Sequence, residues 1–252
     1  MLFDSHTHLD DSKFDDDRYE VIEKIKNSGV SRVVNIGCNI KTSEFSVMLA
    51  EKYDFIYASA GFHPCETNDI TEKDLNIIEN ILKHPKVVAI GEIGLDYHWD
   101  DVPRDKQKYW FCKQMEIAEK VDMPVIIHNR EAHEDTLNII KKFNVKGILH
   151  CFSGSKEMAM EFLKCGYYIS FAGPLTYKNN AKSTEAAKAV PTDRILIETD
   201  APYLAPDGFR GKRNDSSLVK YVCQKMAEIK GITFEEMANI TYKNAMEVYK
   251  IK

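Results

Sequence analysis

The 252-residue chain has no apolar run that approaches the roughly 18 to 20 residues that a helix needs to cross a bilayer. Its first residues, Met1 to His6, lack the basic segment and apolar core of a signal peptide. None of its six cysteines belongs to a Cys-x-x-Cys pair, so we expect reduced, mostly packed thiols. These absences predict a cytoplasmic protein that does not enter the membrane.

An excess of basic charge is also missing, because the formal net charge is −5 at pH 7. This balance argues against a protein that binds nucleic acid by bulk electrostatic attraction. It leaves room for an enzyme that neutralises a few phosphates locally with metal ions and a small basic cluster. No repeat, low-complexity tract or linker divides the chain, so residues 1–252 are predicted to form a single domain, with a monomer as the expected state.

The chain does contain eight short, β-branched apolar runs separated by amphipathic stretches. Several runs, such as Val87–Ile90 and Val125–Ile127, are continuously apolar, which is typical of parallel strands buried on both faces. The predicted strands are Leu2–His6, Arg32–Gly37, Phe55–Gly61, Val87–Glu92, Pro124–His128, Gly147–His150, Tyr167–Phe171 and Arg194–Thr199.

Helical periodicity marks the stretches between and after these strands. The predicted helices are Arg104–Val121, Glu131–Phe143, Lys156–Cys165, Ser216–Ile229 and a last one that begins after Thr233 and ends near Lys250. Eight alternating β and α units predict an α/β fold, the (β/α)8 TIM barrel. A doubly wound open sheet is the alternative, but no glycine-rich dinucleotide loop follows the first strand.

The first predicted strand leads into His6-Thr7-His8. Residues at i and i+2 of an extended strand point to the same face, so the two imidazole groups would lie together. By itself this pair is as compatible with surface decoration as with half of a metal site.

Other strands also end in residue types that bind metals, and in a parallel barrel all these ends share the rim that carries active sites. Imidazole and carboxylate together suit zinc, manganese, iron or another borderline divalent ion. A carboxylate between imidazole groups can bridge two ions about 3.5–4 Å apart. The candidate ligands are His6, His8, Glu92, His128, His150 and Asp200, and the bland alternative is a set of satisfied polar groups at the rim.

The chain resembles the TatD family of metal-dependent deoxyribonucleases, on motifs that follow one another in family order from end to end. They are Asp4-Ser5-His6-Thr7-His8-Leu9, Gly61-Phe62-His63-Pro64, Ala89-Ile90-Gly91-Glu92-Ile93-Gly94-Leu95-Asp96-Tyr97, Gln107-Lys108-Tyr109-Trp110-Phe111, Pro124-Val125-Ile126-Ile127-His128-Asn129-Arg130-Glu131-Ala132, His150-Cys151-Phe152-Ser153-Gly154, Leu196-Ile197-Glu198-Thr199-Asp200-Ala201-Pro202-Tyr203-Leu204, Arg210-Gly211-Lys212-Arg213-Asn214 and Thr241-x-x-Asn244.

The resemblance implies an amidohydrolase-like barrel with two divalent ions, whether zinc, magnesium or manganese. By analogy, His6, His8 and Asp200 hold one ion with Glu92, which bridges to a second ion held by His128 and His150. Glu92 and Asp200 are the implied catalytic residues, and Asp200 orients or deprotonates the attacking water. His63 and Arg130 are expected near the phosphate. The chain departs from the family at Cys65, where a second histidine is common, and after Asn214, where an acidic residue and proline are common.

Several residues within the motifs have two interpretations each. Asp4 is interpreted as a partner that supports a ligand rather than an inward structural carboxylate, and Asp96 as a loop cap rather than a ligand. Cys151 is rejected as a ligand because its side chain should face away. Tyr203 could stack on a base or simply pack. The remaining group, a loop of Arg210, Lys212 and Arg213, is either a solvated turn or a phosphate contact.

The resemblance therefore implies a hydrolase of DNA in which a metal-bound hydroxide attacks phosphorus. Exonucleolytic trimming of single-stranded ends fits a closed rim and a short basic loop. A small-molecule amidohydrolase or phosphoesterase on the same barrel is the alternative. Many such amidohydrolases bridge their metals with a carboxylated lysine, and no lysine lies inside Val87–Glu92. A non-catalytic scaffold stabilised by a metal is a further alternative. A structural zinc site would be closed by four ligands, whereas six candidates around one rim imply open positions for water and substrate.

Overall fold

The computed structural model describes residues 1–252 and contains one sheet of eight parallel strands in the order β1 to β8. Sequential neighbours pair throughout, which confirms the predicted (β/α)8 barrel and excludes the doubly wound alternative. The strands are β1 (Leu2–Thr7), β2 (Val30–Asn35), β3 (Ile56–Ala60), β4 (Val87–Asp96), β5 (Val125–Arg130), β6 (Gly147–Leu149), β7 (Tyr168–Phe171) and β8 (Ile195–Ile197).

Nine α-helices surround and follow the strands: α1 (Arg18–Lys26), α2 (Ile40–Lys52), α3 (Glu72–Ile81), α4 (Arg104–Val121), α5 (His133–Ile140), α6 (Lys156–Lys164), α7 (Ala181–Ala189), α8 (Val219–Lys230) and α9 (Phe234–Val248). Helix α4 has the predicted bounds, and Thr233 caps α9 in a capping box with Glu236. The predicted start at Ser216 is a short 3-10 turn before α8. None of the helices has both the length and the hydropathy that a membrane span requires.

Strand β4 is longer than predicted, because it continues past Glu92 to Asp96. The extension is paired with β5, where Gly94 lies opposite His128 and Asp96 opposite Arg130. Gly94 has a φ of 137°, and a Cβ at this position would collide with the carbonyl oxygen of His128. Glycine therefore allows the close approach of the two strands beside a candidate ligand.

The interior of the barrel changes from apolar to polar along each strand. Val88, Ile126 and Ile148 belong to a buried apolar cluster that also includes Val248 and Tyr249 of the C-terminal segment. Side chains alternate along a strand, so residues an even number of positions later face the same interior. These later residues are the candidate ligands Glu92, His128 and His150. Helix α9 closes the amino end of the barrel, and the carboxyl end is left for the site.

The first and last strands meet at a seam with little backbone pairing. One bridge joins Thr7 to Ala201 beyond the end of β8, and the His8 N–H donates to the Ala201 carbonyl at 2.7 Å. A second backbone bond runs from the Asp200 N–H to the His6 carbonyl at 3.0 Å. Side chains add further connections. Thr199 donates to the buried Asp4 carboxylate through its N–H at 2.9 Å and through its hydroxyl at 2.5 Å. From the C-terminal segment, the Tyr249 hydroxyl donates to the Ser5 carbonyl at 2.7 Å.

Candidate metal centre

The six predicted ligands converge at the carboxyl end of the barrel. His6 and His8 turn their Nε2 atoms to within 3.1 Å of each other, and both approach Asp200 Oδ1, at 3.6 Å and 3.5 Å. On the opposite side, His128 Nδ1 lies 3.3 Å from His150 Nε2. The strand-end pattern thus brings together side chains from five strands or the loops that follow them.

Glu92 lies between these two groups, with one carboxylate oxygen toward each. Its Oε1 is 2.8 Å from His128 Nδ1 and 2.7 Å from His150 Nε2. Its Oε2 is 3.5 Å from His6 Nε2 and 3.8 Å from His8 Nε2. We call His6, His8 and Asp200 the seam half, because they flank the β1–β8 seam. We call His128 and His150 the sheet half, because they follow paired neighbouring strands.

The electrostatic setting keeps both catalytic candidates ionised. Burial by itself would raise the pKa of Glu92, but the charges of His150 and His6 and hydrogen bonds from His128 and His150 hold it well below its usual range. Burial also opposes ionisation of Asp200, and a hydrogen bond from His8 lowers its pKa all the same. Burial and the charge of His150 lower the pKa of His6. Burial acts in the same direction on His128 and His150, but hydrogen bonds and the charge of the neighbouring carboxylates raise the pKa of both. Because imidazoles bind metals in the neutral form, metal binding would release protons from these histidines.

The donor set fits divalent cations. The facing imidazole nitrogens are 3.1 Å apart in His6 and His8 and 3.3 Å apart in His128 and His150, beside ionised carboxylates. Cations between these nitrogens would stabilise the arrangement. His6, His8 and Glu92 have ligand atoms close enough to share one ion, and so do His63, Glu92 and His128. The chemistry of the site is therefore that of a borderline metal bound by nitrogen and oxygen, with Glu92 common to both groups.

A cavity of about 690 Å³ opens above the cluster. The residues of its floor include His8, Glu92, His128, His150 and Asp200. Its walls come from the segment between β1 and the start of α1, the start of α2, the turn after β3 and the segment after β8. They include Asp10, Asp11, Asp15, Arg18, Asn39, Lys41, Glu66 and Tyr203. The candidate ligands are thus open to a small substrate or to the end of a longer one.

The TatD-related DNase family model matches residues 3–250 of the chain. The chain belongs to the TatD family. A Bacillus subtilis protein named an uncharacterized metal-dependent hydrolase, YabD, is 50% identical, and the match covers 100% of both chains. An Erwinia tasmaniensis protein named 3′-5′ ssDNA/RNA exonuclease TatD is 30% identical over 99% of this chain and 100% of the relative. The predicted family is confirmed, and the protein is a metal-dependent hydrolase.

A solved structure supports the same assignment. The Escherichia coli TatD homologue YjjV has a TM-score of 0.94 and 28% identity to this chain, with 100% of this chain and 98% of the homologue covered. An organophosphorus hydrolase aligns with a TM-score of 0.65 at 13% identity, which shows a shared fold alone. The TatD-type barrel therefore accounts for the whole chain.

Among the predicted substrate contacts, His63 is the one that lines the cavity of this TatD-type site. Its Nε2 lies 3.9 Å from Glu92 Oε1, and its Nδ1 accepts a hydrogen bond from the Cys65 N–H at 3.2 Å. Burial and the nearby His128 lower its pKa to about 3, so the imidazole is neutral. With Nδ1 as the acceptor, the proton is on Nε2. His63 therefore offers a donor to the cavity, and its contact with phosphate stays a prediction.

The three predicted arginines are not part of the cavity lining. Arg130 lies over the Trp99 ring, with its Cζ 5.7 Å from the ring centroid, and Arg210 lies over the Tyr177 ring at 4.4 Å. Arg213 forms an ion pair with Asp17 at 2.5 Å. Their contacts with substrate stay predictions.

The residues with two interpretations have definite positions. Asp4 is buried and accepts hydrogen bonds from the N–H groups of His6 and Thr199, so it holds the backbone on both sides of the seam. Asp96 is the last residue of β4 rather than part of a loop. It accepts a bond from the His98 N–H, as a cap would, and its Oδ2 also lies 2.8 Å from His128 Nε2. Cys151 follows β6 with a φ of 42°, and no candidate ligand group contains it.

Tyr203 lines the cavity, and its hydroxyl donates to Asp11 at 2.6 Å. The Lys13 ammonium lies over its ring, 4.1 Å from the centroid. The ring is exposed enough for a base to reach it, so both interpretations of Tyr203 stay open.

Two further residues at the site have no role assigned from the sequence patterns. Cys38 Sγ lies 3.9 Å from both His8 Nδ1 and Glu92 Oε2. Glu198 is fully buried, and its Oε1 lies 3.2 Å from His150 Nδ1. The signal for Glu198 is its position two residues before Asp200, in a run where we assigned only the aspartate. Cys38 gives no such signal, because it follows the end of β2 and resembles any loop cysteine.

Proposed function

We propose that the protein is a metal-dependent phosphodiesterase with two divalent ions, which removes nucleotides from the ends of single-stranded DNA. The observation that supports it most is the position of Glu92, whose two oxygens face two separate groups of imidazole ligands. A carboxylate shared by two ions is typical of sites that hydrolyse phosphate esters by in-line displacement.

The ligands divide between the two ions in this proposal. His6, His8, Asp200 and Glu92 would hold one ion, and His128, His150 and Glu92 would hold the other. The bound ions, whether zinc, magnesium or manganese, would supply Lewis acidity toward the phosphate oxygens and make water easier to deprotonate.

The side chains of the protein supply the rest of the reaction. Asp200 is ionised and at the edge of the cavity, so it can accept the proton of the attacking water. His63 presents its Nε2–H, which can donate to an oxygen of the phosphodiester. Attack forms a new P–O bond to the water oxygen and breaks the P–O bond to the leaving ester oxygen. Asp200 takes a proton from the water, and the leaving oxygen takes up a proton to become a hydroxyl.

Support for a nucleic-acid substrate comes from the family model and from the Erwinia relative named 3′-5′ ssDNA/RNA exonuclease. The cavity favours an end over the middle of a duplex, because it is a pocket of about 690 Å³ rather than an open channel. Exposed Tyr203 at its edge offers a face on which a base can stack.

A small-molecule phosphoesterase or amidohydrolase is the second candidate, and the composition of the cavity favours it. Asp10, Asp11, Asp15 and Glu66 contribute acidic groups to the walls, which disfavours a polyanionic strand on that side. The volume also lies in the range of small-molecule sites.

The experiment that separates the two candidates uses end-labelled single- and double-stranded DNA, with circular single-stranded DNA as the substrate that has no ends. The protein is treated with EDTA and then supplied with zinc, magnesium or manganese. We expect metal-restored release of nucleotides from linear single strands, with circular DNA left intact. Glu92→Gln should abolish the release, whereas Glu44→Gln, on the exposed face of α2, should leave it unchanged.

Metal content is measured on the same samples. A fully metal-loaded protein that does not hydrolyse DNA, but turns over a small phosphate ester or a cyclic amide, would contradict the proposal and favour the second candidate. Equal cleavage of circular and linear strands would contradict the exonucleolytic part alone.

A further inference from the structure

The two halves of the cluster differ in what supports their histidines. Each candidate ligand histidine turns one nitrogen toward the cluster and the other, the far nitrogen, away from it. The far nitrogen of His128 lies 2.8 Å from Asp96 Oδ2, and that of His150 lies 3.2 Å from Glu198 Oε1. In the seam half, the far nitrogen of His6 is buried without a partner, and that of His8 has only Cys38 Sγ at 3.9 Å.

We infer that Asp96 and Glu198 are positioning residues for the ion of the sheet half. This inference rests on the proposed two-ion site. A carboxylate on the far nitrogen fixes the proton there, which leaves the lone pair of the near nitrogen free for a metal. It also fixes the orientation of the ring and makes the ligand more basic. The sheet half has this support on both histidines, and the seam half has it on neither.

Asp96 is held rigidly enough to serve as such a partner. Its Oδ1 accepts the His98 N–H at 2.9 Å, which leaves Oδ2 for His128. The buried amide of Gln107, from α4, accepts from the Asp96 N–H and donates to the Asp96 carbonyl, both at 2.9 Å. Asp96 is therefore fixed by hydrogen bonds to both its backbone and its side chain. For this reason Asp96 orients His128, rather than the reverse.

Glu198 supports His150 from the other side of the sheet half. It is fully buried, and its Oε1 is shared between His150 Nδ1 and the Cys151 N–H at 2.8 Å. Its Oε2 has no hydrogen-bond partner in the protein. A buried carboxylate with so few donors gains most from a proton on His150 Nδ1, which keeps that proton away from the cluster.

The test measures metal binding rather than activity. Metal-free protein is titrated with Co²⁺, and bound metal is followed by its visible absorption and by elemental analysis after removal of free ions. We expect the wild type to bind two equivalents. Asp96→Ala should weaken one of them by about 10- to 100-fold and leave the other unchanged. Asp96→Asn keeps an acceptor for His128 without the charge, so its loss should be smaller.

Controls separate positioning from general damage. Asp135→Ala removes a neighbouring carboxylate that binds Tyr97 and Lys108 but no histidine, and it should leave both equivalents intact. Glu198→Gln should act on the same equivalent as Asp96→Ala, and thermal unfolding of the metal-free variants shows whether each is folded. If Glu198→Gln does not fold, the comparison of Asp96→Ala with Asp96→Asn is sufficient to test the inference.

Three results would overturn the inference: equal weakening of both equivalents in Asp96→Ala, no weakening in a folded Asp96→Ala variant, or a wild type that binds a single equivalent. Failure of the proposed function is a separate outcome, because a protein that binds two Co²⁺ ions with this asymmetry and does not cleave DNA would leave the positioning roles standing.

Discussion

The seam half and the sheet half of the metal centre are built on different kinds of support. His128 lies in β5 and His150 directly follows β6. Strand β5 pairs in register with β6 and also pairs with β4, with one register shift between Ile90 and Ile93. His6, His8 and Asp200 flank β1 and β8, which share a single backbone bridge. Strand pairing thus preforms one half, whereas two backbone hydrogen bonds and the side-chain bonds to Asp4 hold the other.

The difference shows that an intact barrel fold is not enough to keep the seam half in place, although it is enough for the sheet half. In the seam half, the spacing between His6 and Asp200 depends on one backbone bond between them and on Asp4, which accepts bonds from both the β1 and the β8 side. In the sheet half, a shift of His128 relative to His150 would require breaking strand pairs. We therefore expect the two halves to respond separately to substitutions, and three changes test this from the largest effect to the smallest.

The largest effect is expected from Asp200→Asn, in the seam half. The variant loses the acceptor for the proton of the attacking water, so kcat on single-stranded DNA should fall by about 10²- to 10⁴-fold. The sheet half keeps all its ligands, and its ion should remain bound. Steady-state kinetics and metal content per chain measure the two effects. Loss of both ions in this variant would break the distinction between the halves.

A smaller effect is expected from Thr199→Val at the seam itself. The hydroxyl of Thr199 donates to Asp4 at 2.5 Å and accepts from the Ala201 N–H at 3.3 Å, and both bonds are lost. The free energy of unfolding of the metal-free protein should fall by about 1–3 kcal/mol in urea denaturation.

The matched control for this change is Thr136→Val. The hydroxyl of Thr136 is buried without a hydrogen-bond partner, so its removal should leave the stability unchanged or slightly higher. Equal destabilisation by the two substitutions would show that the seam bonds are no stronger than ordinary packing.

The smallest effect is expected from Tyr249→Phe, which removes one neutral hydrogen bond between the C-terminal segment and Ser5. The loss in the free energy of unfolding should be about 0.5–1.5 kcal/mol. Tyr167→Phe is the control, because the buried Tyr167 hydroxyl has no partner. If both variants are as stable as the wild type, the contact of Tyr249 with β1 does not support the seam.

Most of the barrel follows from the sequence because its strands are continuous apolar runs. All eight predicted strands overlap the observed ones. The patterns set no bounds for α1, α2, α3 and α7. Helix α2 buries Ser43 and Ser46 on its inner face, which hides the apolar period, and α7 has only alanines as apolar residues. Helices α1 and α3 are different, because they bury large apolar residues at helical spacing and the sequence therefore does carry their period.

The candidate ligands could be predicted because their types end apolar runs, but their partners could not. The apolar run of β4 stops at Glu92, and Gly94 and Asp96 resemble a turn, although pairing with β5 keeps them in the strand. The contacts of long side chains are still harder to predict from the sequence. The positions of Arg130 and Arg213 depend on Trp99 and Asp17, which are distant from them in sequence.

The seam also sets the order in which the metal centre can be assembled during synthesis. His6 and His8 are among the first residues made, but the bond from Thr199 to Asp4 closes a sequence separation of 195 residues. Contacts of such long range form late, after the local elements. A growing chain would therefore contain all the ligands of the sheet half before Asp200, the partner of His6 and His8, has been synthesised. Full ligation marks a chain that is almost entirely synthesised and folded.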